Sequence, residues 1–214
     1  MKVLLLCDRE SAEYDGLDLR TGVDNALREA GNETTTVMLN GEEIGPCLGC
    51  YRCWVKTPGL CAITTDSANA IAGLEVRADT VIFLSRICYG GYSHDIKSFL
   101  DRSIPNISPF FSVVKGETRH PMRYDRFPVM ISIGYGDYTP QERQTFVAVA
   151  ERNALNMRPP RHYVYTVRNA AEMDQVALSL KSILAVEEKG GVRPAQESAP
   201  TQVEAGAPPG EVTP

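Results

Sequence analysis

Two short runs in this chain, Lys2–Cys7 (KVLLLC) and 80–84 (TVIFL), are apolar at every position after the first. A strand with one wet face alternates polar and apolar side chains. An unbroken run of this length therefore suits a strand buried on both faces, as in a parallel sheet covered by helices. Further strands are expected at 33–39, 129–133 and 162–167. Between the strands the apolar spacing changes to that of helices. Leu19, Val23, Ala26, Leu27 and Ala30 share one face of a helix over 19–30, and Gly31 can end it. Asp66 can cap a short helix to about residue 74, and Ile96, Phe99, Leu100 and Ile104 mark a helix over 93–104. Thr139-Pro140-Gln141-Glu142 is a capping box with proline at the first helical position. Asn169 with Glu172 caps a last helix to about 186, with Met173, Val176, Ala177, Leu180, Ile183 and Leu184 on its apolar face. Five strands alternating with helices predict an α/β fold: a parallel sheet between two helical layers.

The 214 residues suit one domain plus an appendage. From Gly190 onward there is no aromatic residue and no Leu or Ile, and five prolines and four glycines break the segment. So little apolar surface cannot offset the entropy of ordering, so residues 1–187 are expected to form the domain and 188–214 a disordered tail. A net charge of −5 points away from nucleic acid and from a polybasic membrane anchor. No apolar run reaches the roughly 20 residues that cross a bilayer, and the start is too short and too soon charged for a signal peptide. A cytoplasmic location is expected. Six cysteines in a reducing compartment then point to metal or redox work rather than disulfides.

Open parallel sheets bind ligands where strands end at their carboxyl side. Four loops are expected there: 8–18, the cysteine loop 40–65, 85–93 and 134–138. The third carries Ser85, Arg86, Ile87, Cys88, Tyr89, Gly90, Gly91 and Tyr92, and the fourth carries Gly134, Tyr135 and Gly136. Paired glycines let backbone approach a ligand, and Tyr89 and Tyr92 could flank a planar ring. The cysteine loop places Cys47, Cys50, Cys53 and Cys61 in a C-x2-C-x2-C-x7-C spacing. Three thiols within seven residues can wrap one corner of a [4Fe–4S] cluster, with the fourth closing it. Structural zinc and no metal at all stay open as alternatives. Cys7 reads as a small core residue, and Trp54 as packing the loop down. The stretch 106–127 has little periodicity and reads as a flap or interface segment.

The segment Tyr89-Gly90-Gly91-Tyr92-Ser93, followed by Ile96-Lys97-Ser98-Phe99-Leu100-Asp101-Arg102, resembles a signature of the flavodoxin-like NAD(P)H-dependent FMN reductase superfamily. The compact block Cys47–Cys61 resembles the cysteine motif of its iron–sulfur flavoprotein branch. The resemblance implies a flavodoxin-like three-layer sandwich with five parallel strands in the order 2-1-3-4-5. It implies FMN held by the 85–92 and 134–136 loops, NAD(P)H as co-substrate, and a [4Fe–4S] cluster on the four thiols. It makes the chain an oxidoreductase with a small molecule or redox protein as donor and acceptor; a pure electron carrier and a zinc-stapled binding protein remain the alternatives. The cluster would lie on the flavin side of the sheet, in the same subunit or across a dimer. A homodimer or homotetramer is expected, because Ile107, Pro109, Phe110, Phe111, Val113 and Val114 need cover. The first loop departs from the family pattern. By charge and hydroxyl only Arg9 and Ser11 could serve the FMN phosphate, and Asp8, Glu10, Glu13 and Asp15 oppose it, so phosphate binding is weakened or comes from backbone N–H groups and Thr21. Arg86 stands where the family signature usually has proline, and its charge can supply what the first loop lacks.

Overall fold

The structure, a computed structural model, describes residues 1–39, 44–114, 116–190 and 201–202. The elements run β1 (Lys2–Cys7), α1 (Leu19–Glu29), β2 (Glu33–Met38), α2 (Arg52–Val55), α3 (Ala68–Arg77), β3 (Thr80–Arg86), α4 (His94–Arg102), β4 (Ser112–Val114), β5 (Glu117–Arg119), β6 (Val129–Tyr135), α5 (Pro140–Met157), β7 (His162–Val167), α6 (Ala170–Gly190) and β8 (Thr201–Gln202). The main sheet has the order β2-β1-β3-β6-β7, extended by β8, with parallel pairings throughout. Its first five strands reproduce the expected 2-1-3-4-5 pattern.

Period-two alternation explains why the runs are apolar on both sides. Val3, Leu5 and Cys7 join Ile82, Leu84, Ile131 and Ile133 in a core under α1 and α6. Leu4, Leu6, Val81, Phe83 and Met130 face the other way, into a core under α3, α4 and α5. A one-residue slip would exchange these faces, but both are apolar, so the register is held by the turns and caps. Gly31 ends α1 at φ +82°, and Thr139 and Glu142 form the full capping box of α5. Asn169 and Glu172 exchange bonds at the start of α6.

Some boundaries differ from expectation. The helix expected to begin at Asp66 starts at Ala68. The Asp66 carboxylate does accept from the Ala68 N–H at 3.2 Å, but its main partner is Arg102. The helix over 93–104 ends at Arg102 and passes into a 3-10 turn, Ile104–Asn106. The flap contains an antiparallel hairpin, β4 with β5. Helix α6 runs to Gly190, and Thr201–Gln202 pair beside β7. Most of the expected disordered tail, and residues 40–43 of the cysteine loop, lie outside the described residues. Among the described residues no helix is long and apolar enough to cross a membrane.

Candidate functional site

Strand β1 lies between β2 and β3, so the chain reverses direction there and opens a crevice at the carboxyl ends of β1 and β3. Asp8 follows β1 directly. It is 1% exposed, and its carboxylate accepts from the Arg86 N–H at 2.6 Å, the Tyr135 hydroxyl at 2.5 Å and the Ser11 N–H at 3.1 Å. Burial pushes this carboxyl above the usual range, against the pull of those donors. Asp8 also caps the 3-10 turn Arg9–Ala12. The cations nearby are already engaged. Arg9 grips Asp95 in the first turn of α4 through two contacts, at 2.8 and 2.6 Å, and Arg86 pairs with Glu10. Ser11 is fully buried, and its hydroxyl donates to the Asp8 carbonyl at 2.6 Å.

The two glycine–tyrosine loops border the same crevice, but most of their side chains serve the fold. The Ser85 hydroxyl accepts from the Ser93 N–H at 2.9 Å, ahead of α4. Ile87 is buried in the core. Cys88 and Gly91 close a tight turn by exchanging backbone bonds at 3.0 and 2.8 Å. Tyr92 is not a ring-flanking residue, contrary to expectation. It is buried between Phe83 and Phe146, its hydroxyl meets Ser132 at 3.0 Å, and burial pushes its pKa up to about 12. Tyr135 is buried as well, with its ring against Tyr14. Tyr89, at φ +51° and 96% exposed, is the tyrosine left at the rim. The glycines also have packing roles. A Cβ on Gly90 would stand 2.6 Å from Thr145, and one on Gly134 would stand 2.6 Å from Phe146. Gly136, at φ +131°, lies beside Arg86. Burial raises the Cys88 thiol, so it is not poised as a thiolate.

In the cysteine loop Cys47 and Cys50 are exposed, and Cys53 and Cys61 are half-buried. Burial, then the neighbouring sulfurs of Cys61, Cys47 and Cys50, push the Cys53 thiol upward. The Cys53 thiol thus lies within electrostatic reach of the other three. Among the described residues, however, no three His, Cys, Asp or Glu side chains converge as a metal site. Cys61 is the best-held of the set. The Asn69 side chain accepts from its N–H at 2.8 Å and donates to its carbonyl at 3.0 Å. Arg102 ties down the surrounding backbone through the carbonyls of Gly45 and Ile63 and through Asp66. Trp54 does pack the loop down: its Nε1–H donates to the Ile104 carbonyl at 3.3 Å. The Tyr51, Trp54, His120 and Phe111 rings stack in sequence, with centroids 5.5, 4.9 and 4.8 Å apart, and join the loop to the flap. Asp95 at the start of α4 borders the crevice, whereas Arg102 at its end borders the cysteine loop. A nine-residue helix spans roughly 13 Å at 1.5 Å per residue. The cysteine loop is thus tied to the end of α4 opposite the one at the crevice.

Sequence reasoning missed Asn69 and the anchoring role of Arg102. An Asn near a helix start gives no signal of a partner eight residues upstream, and Arg102 stood only as part of a signature.

The strand order, the crevice at the β1–β3 switch and the loops around it define a flavodoxin-like protein. Solved structures agree on the fold. An FMN-dependent NADH-azoreductase from Bacillus anthracis, in complex with FMN, superposes with a TM-score of 0.60 at 11% identity, over 87% of this chain and 98% of that one. Flavodoxin 1 from Bacillus cereus superposes with a TM-score of 0.52 at 10% identity, over 87% and 98%. No family model matches the chain. An iron–sulfur flavoprotein of Methanocaldococcus jannaschii is 37% identical over 81 residues, which is 38% of this chain and 40% of that protein. The iron–sulfur flavoprotein of Methanosarcina thermophila is 31% identical over 77 residues, 36% of this chain and 39% of that protein. The chain thus spans about two fifths of the length of the curated relatives it matches. The resemblance read from the two sequence blocks stands.

The crevice fits the two ends of an FMN unequally. At the ring end, exposed Tyr89 and the backbone of the 88–91 turn offer an aromatic face and a close approach. At the phosphate end no unpaired cation faces the crevice from Arg9 or Arg86, and a buried carboxylate occupies the donors.

Proposed function

We propose that this chain is a flavin-dependent oxidoreductase of the iron–sulfur flavoprotein kind. It would take electrons from NAD(P)H or a redox protein and pass them to a small-molecule or protein acceptor. The observation that carries the reading is the 37% identity to a protein named as an iron–sulfur flavoprotein, in a chain that also holds the four-thiol loop. A bound flavin accepts electrons in pairs as hydride or singly, so it can join the two kinds of donor. The protein's own part is to hold the ring at the Tyr89 rim, and FMN is the flavin that the resemblance supports. Cys47, Cys50, Cys53 and Cys61 have the donor chemistry of a [4Fe–4S] site, with Cys61 fixed in advance by Asn69. Cys47 and Cys50 are exposed and have to draw inward for the four sulfurs to share one ion or cluster. Exposed Leu48, Tyr51, Val55, Phe110, Phe111 and Val113 support a homodimer or homotetramer.

Anaerobic purification followed by an absorbance spectrum and iron analysis tests both groups together. Flavin bands with about four irons per chain are expected. A colourless, iron-free protein that stays so after anaerobic reconstitution overturns the reading. Rapid mixing with NADH or NADPH should bleach the flavin band within one turnover; reduction by a protein donor alone would leave an electron carrier.

A further inference from the structure

The side chain of Arg102 is sealed from solvent beside the cysteine loop. One terminal nitrogen donates to the Gly45 carbonyl at 2.8 Å and to Asp66 at 2.7 Å. The other donates to Asp66 at 2.9 Å and to the Ile63 carbonyl at 3.3 Å. The Nε–H is buried too, and it has no partner. A buried donor left unmade is costly, so a spare N–H at this point calls for an acceptor. The Cys61 side chain lies within electrostatic reach of the same guanidinium. Cys61 cannot drift away from it. Asn69 holds the Cys61 backbone at both its N–H and its carbonyl, and Arg102 itself holds the carbonyl of Ile63, two residues on.

We propose that Arg102 is a positioning residue for the four-thiol site: its spare Nε–H and its charge are directed to the sulfur of Cys61, and they favour the reduced, more negative state of a cluster held there. This rests on the iron–sulfur reading above and names what sets the potential of that same site. A [4Fe–4S] cluster on four thiolates is anionic, and reduction adds one more electron without breaking a bond. A donor on one of its sulfurs is therefore worth more after reduction than before. Hydrogen bonds to the sulfurs and the charge around them are general levers on the potential of such a site. Asp66 offsets the guanidinium at long range, so the effect is short-ranged. It falls on Cys61 rather than on exposed Cys47 and Cys50.

Two measurements on the anaerobically reconstituted full chain test the inference, with dithionite as the electron donor. The first uses protein made with arginine isotopically labelled at its guanidinium nitrogens only. Pulsed EPR of the reduced wild type should show a coupling from labelled nitrogen, and Arg102→Lys should abolish it. The second is a reductive titration followed by EPR. Arg102→Met combined with Asp66→Ala leaves no unpaired buried charge. It should shift the reduction equilibrium toward the oxidised state by roughly tenfold or more, each tenfold being about 59 mV for one electron. Arg102→Lys, which keeps a charged donor beside Asp66, should recover part of that shift. Circular dichroism establishes that each variant is folded, and the wild-type coupling stands as a test even if no variant folds. A loaded wild type with no coupling, a coupling that survives in Arg102→Lys, or a loaded double variant with unchanged potential overturns the inference and leaves the iron–sulfur reading intact. If the folded wild type takes up no iron on reconstitution, the iron–sulfur reading falls and this inference with it.

Discussion

Glu75 is fully buried on the inner side of α3, and one of its carboxyl oxygens has no hydrogen-bond partner. The other accepts from the Asn106 side chain at 2.8 Å. Burial pushes its pKa from 4.5 up to about 8, against the opposing effect of that bond. Between those two values the folded chain keeps a proton that the unfolded chain has released. Stability contributed at this position is therefore complete below about pH 4.5 and is lost as the pH rises toward 8. Each unit of that gap is worth about 1.4 kcal/mol, so at pH 7 the carboxyl opposes folding by about 3 kcal/mol. Glu75→Gln preserves shape and the Asn106 bond but carries no titratable proton. Urea unfolding of both proteins at pH 5, 6, 7 and 8 gives the measurement, and groups common to both cancel in the difference. The variant's advantage should be under about 1 kcal/mol at pH 5 and about 3 kcal/mol at pH 7. A difference that does not change with pH would refute the reasoning.

The Asp66–Arg102 pair has side chains 6% and 0% exposed, so Asp66→Ala strands a buried guanidinium. It should cost about 3–5 kcal/mol in a denaturant titration, and a double variant with Arg102→Met should recover much of that. Gly134→Ala places a Cβ 2.6 Å from Phe146 and 2.8 Å from Ile87; overpacking of about 1–3 kcal/mol is expected from thermal unfolding. Thr139→Ala removes the α5 cap and should cost about 1 kcal/mol, seen in the same assay. Truncation after residue 190 should change stability by no more than about 0.5 kcal/mol, measured by calorimetry, because the segment removed contributes only the Thr201–Gln202 pairing among the described residues.

The framework of the fold was legible because its signals are local. The apolar runs of β1 and β3 and the Thr139–Glu142 box each lie within a few residues and mean the same thing in any context. The crevice was less legible because its bonds are long-range. Asp8 could be seen in sequence as a charge opposing a phosphate, yet its partners are Arg86, 78 residues away, and Tyr135, 127 residues away. Tyr89 and Tyr92 look equivalent as letters, and only the packing of Phe83 and Phe146 takes one of them into the core. Asp66 had two uses open to it, a helix cap or an ion pair, and the arrival of α4 brought Arg102 within reach. The glycines of the two loops were read as making room for a ligand, whereas at Gly90 and Gly134 the space is occupied by α5 side chains.

The stack of Tyr51, Trp54, His120 and Phe111 couples two segments that are distant in the chain. Neither segment has much core of its own: α2 has no buried residue, and Phe110, Phe111 and Val113 of the flap are exposed. Their resistance to opening is therefore shared rather than separate, and the loop and the flap behave as one cooperative unit in local unfolding. Backbone amides in both should exchange with solvent at matched rates, and whatever orders the thiols will slow exchange in the hairpin as well.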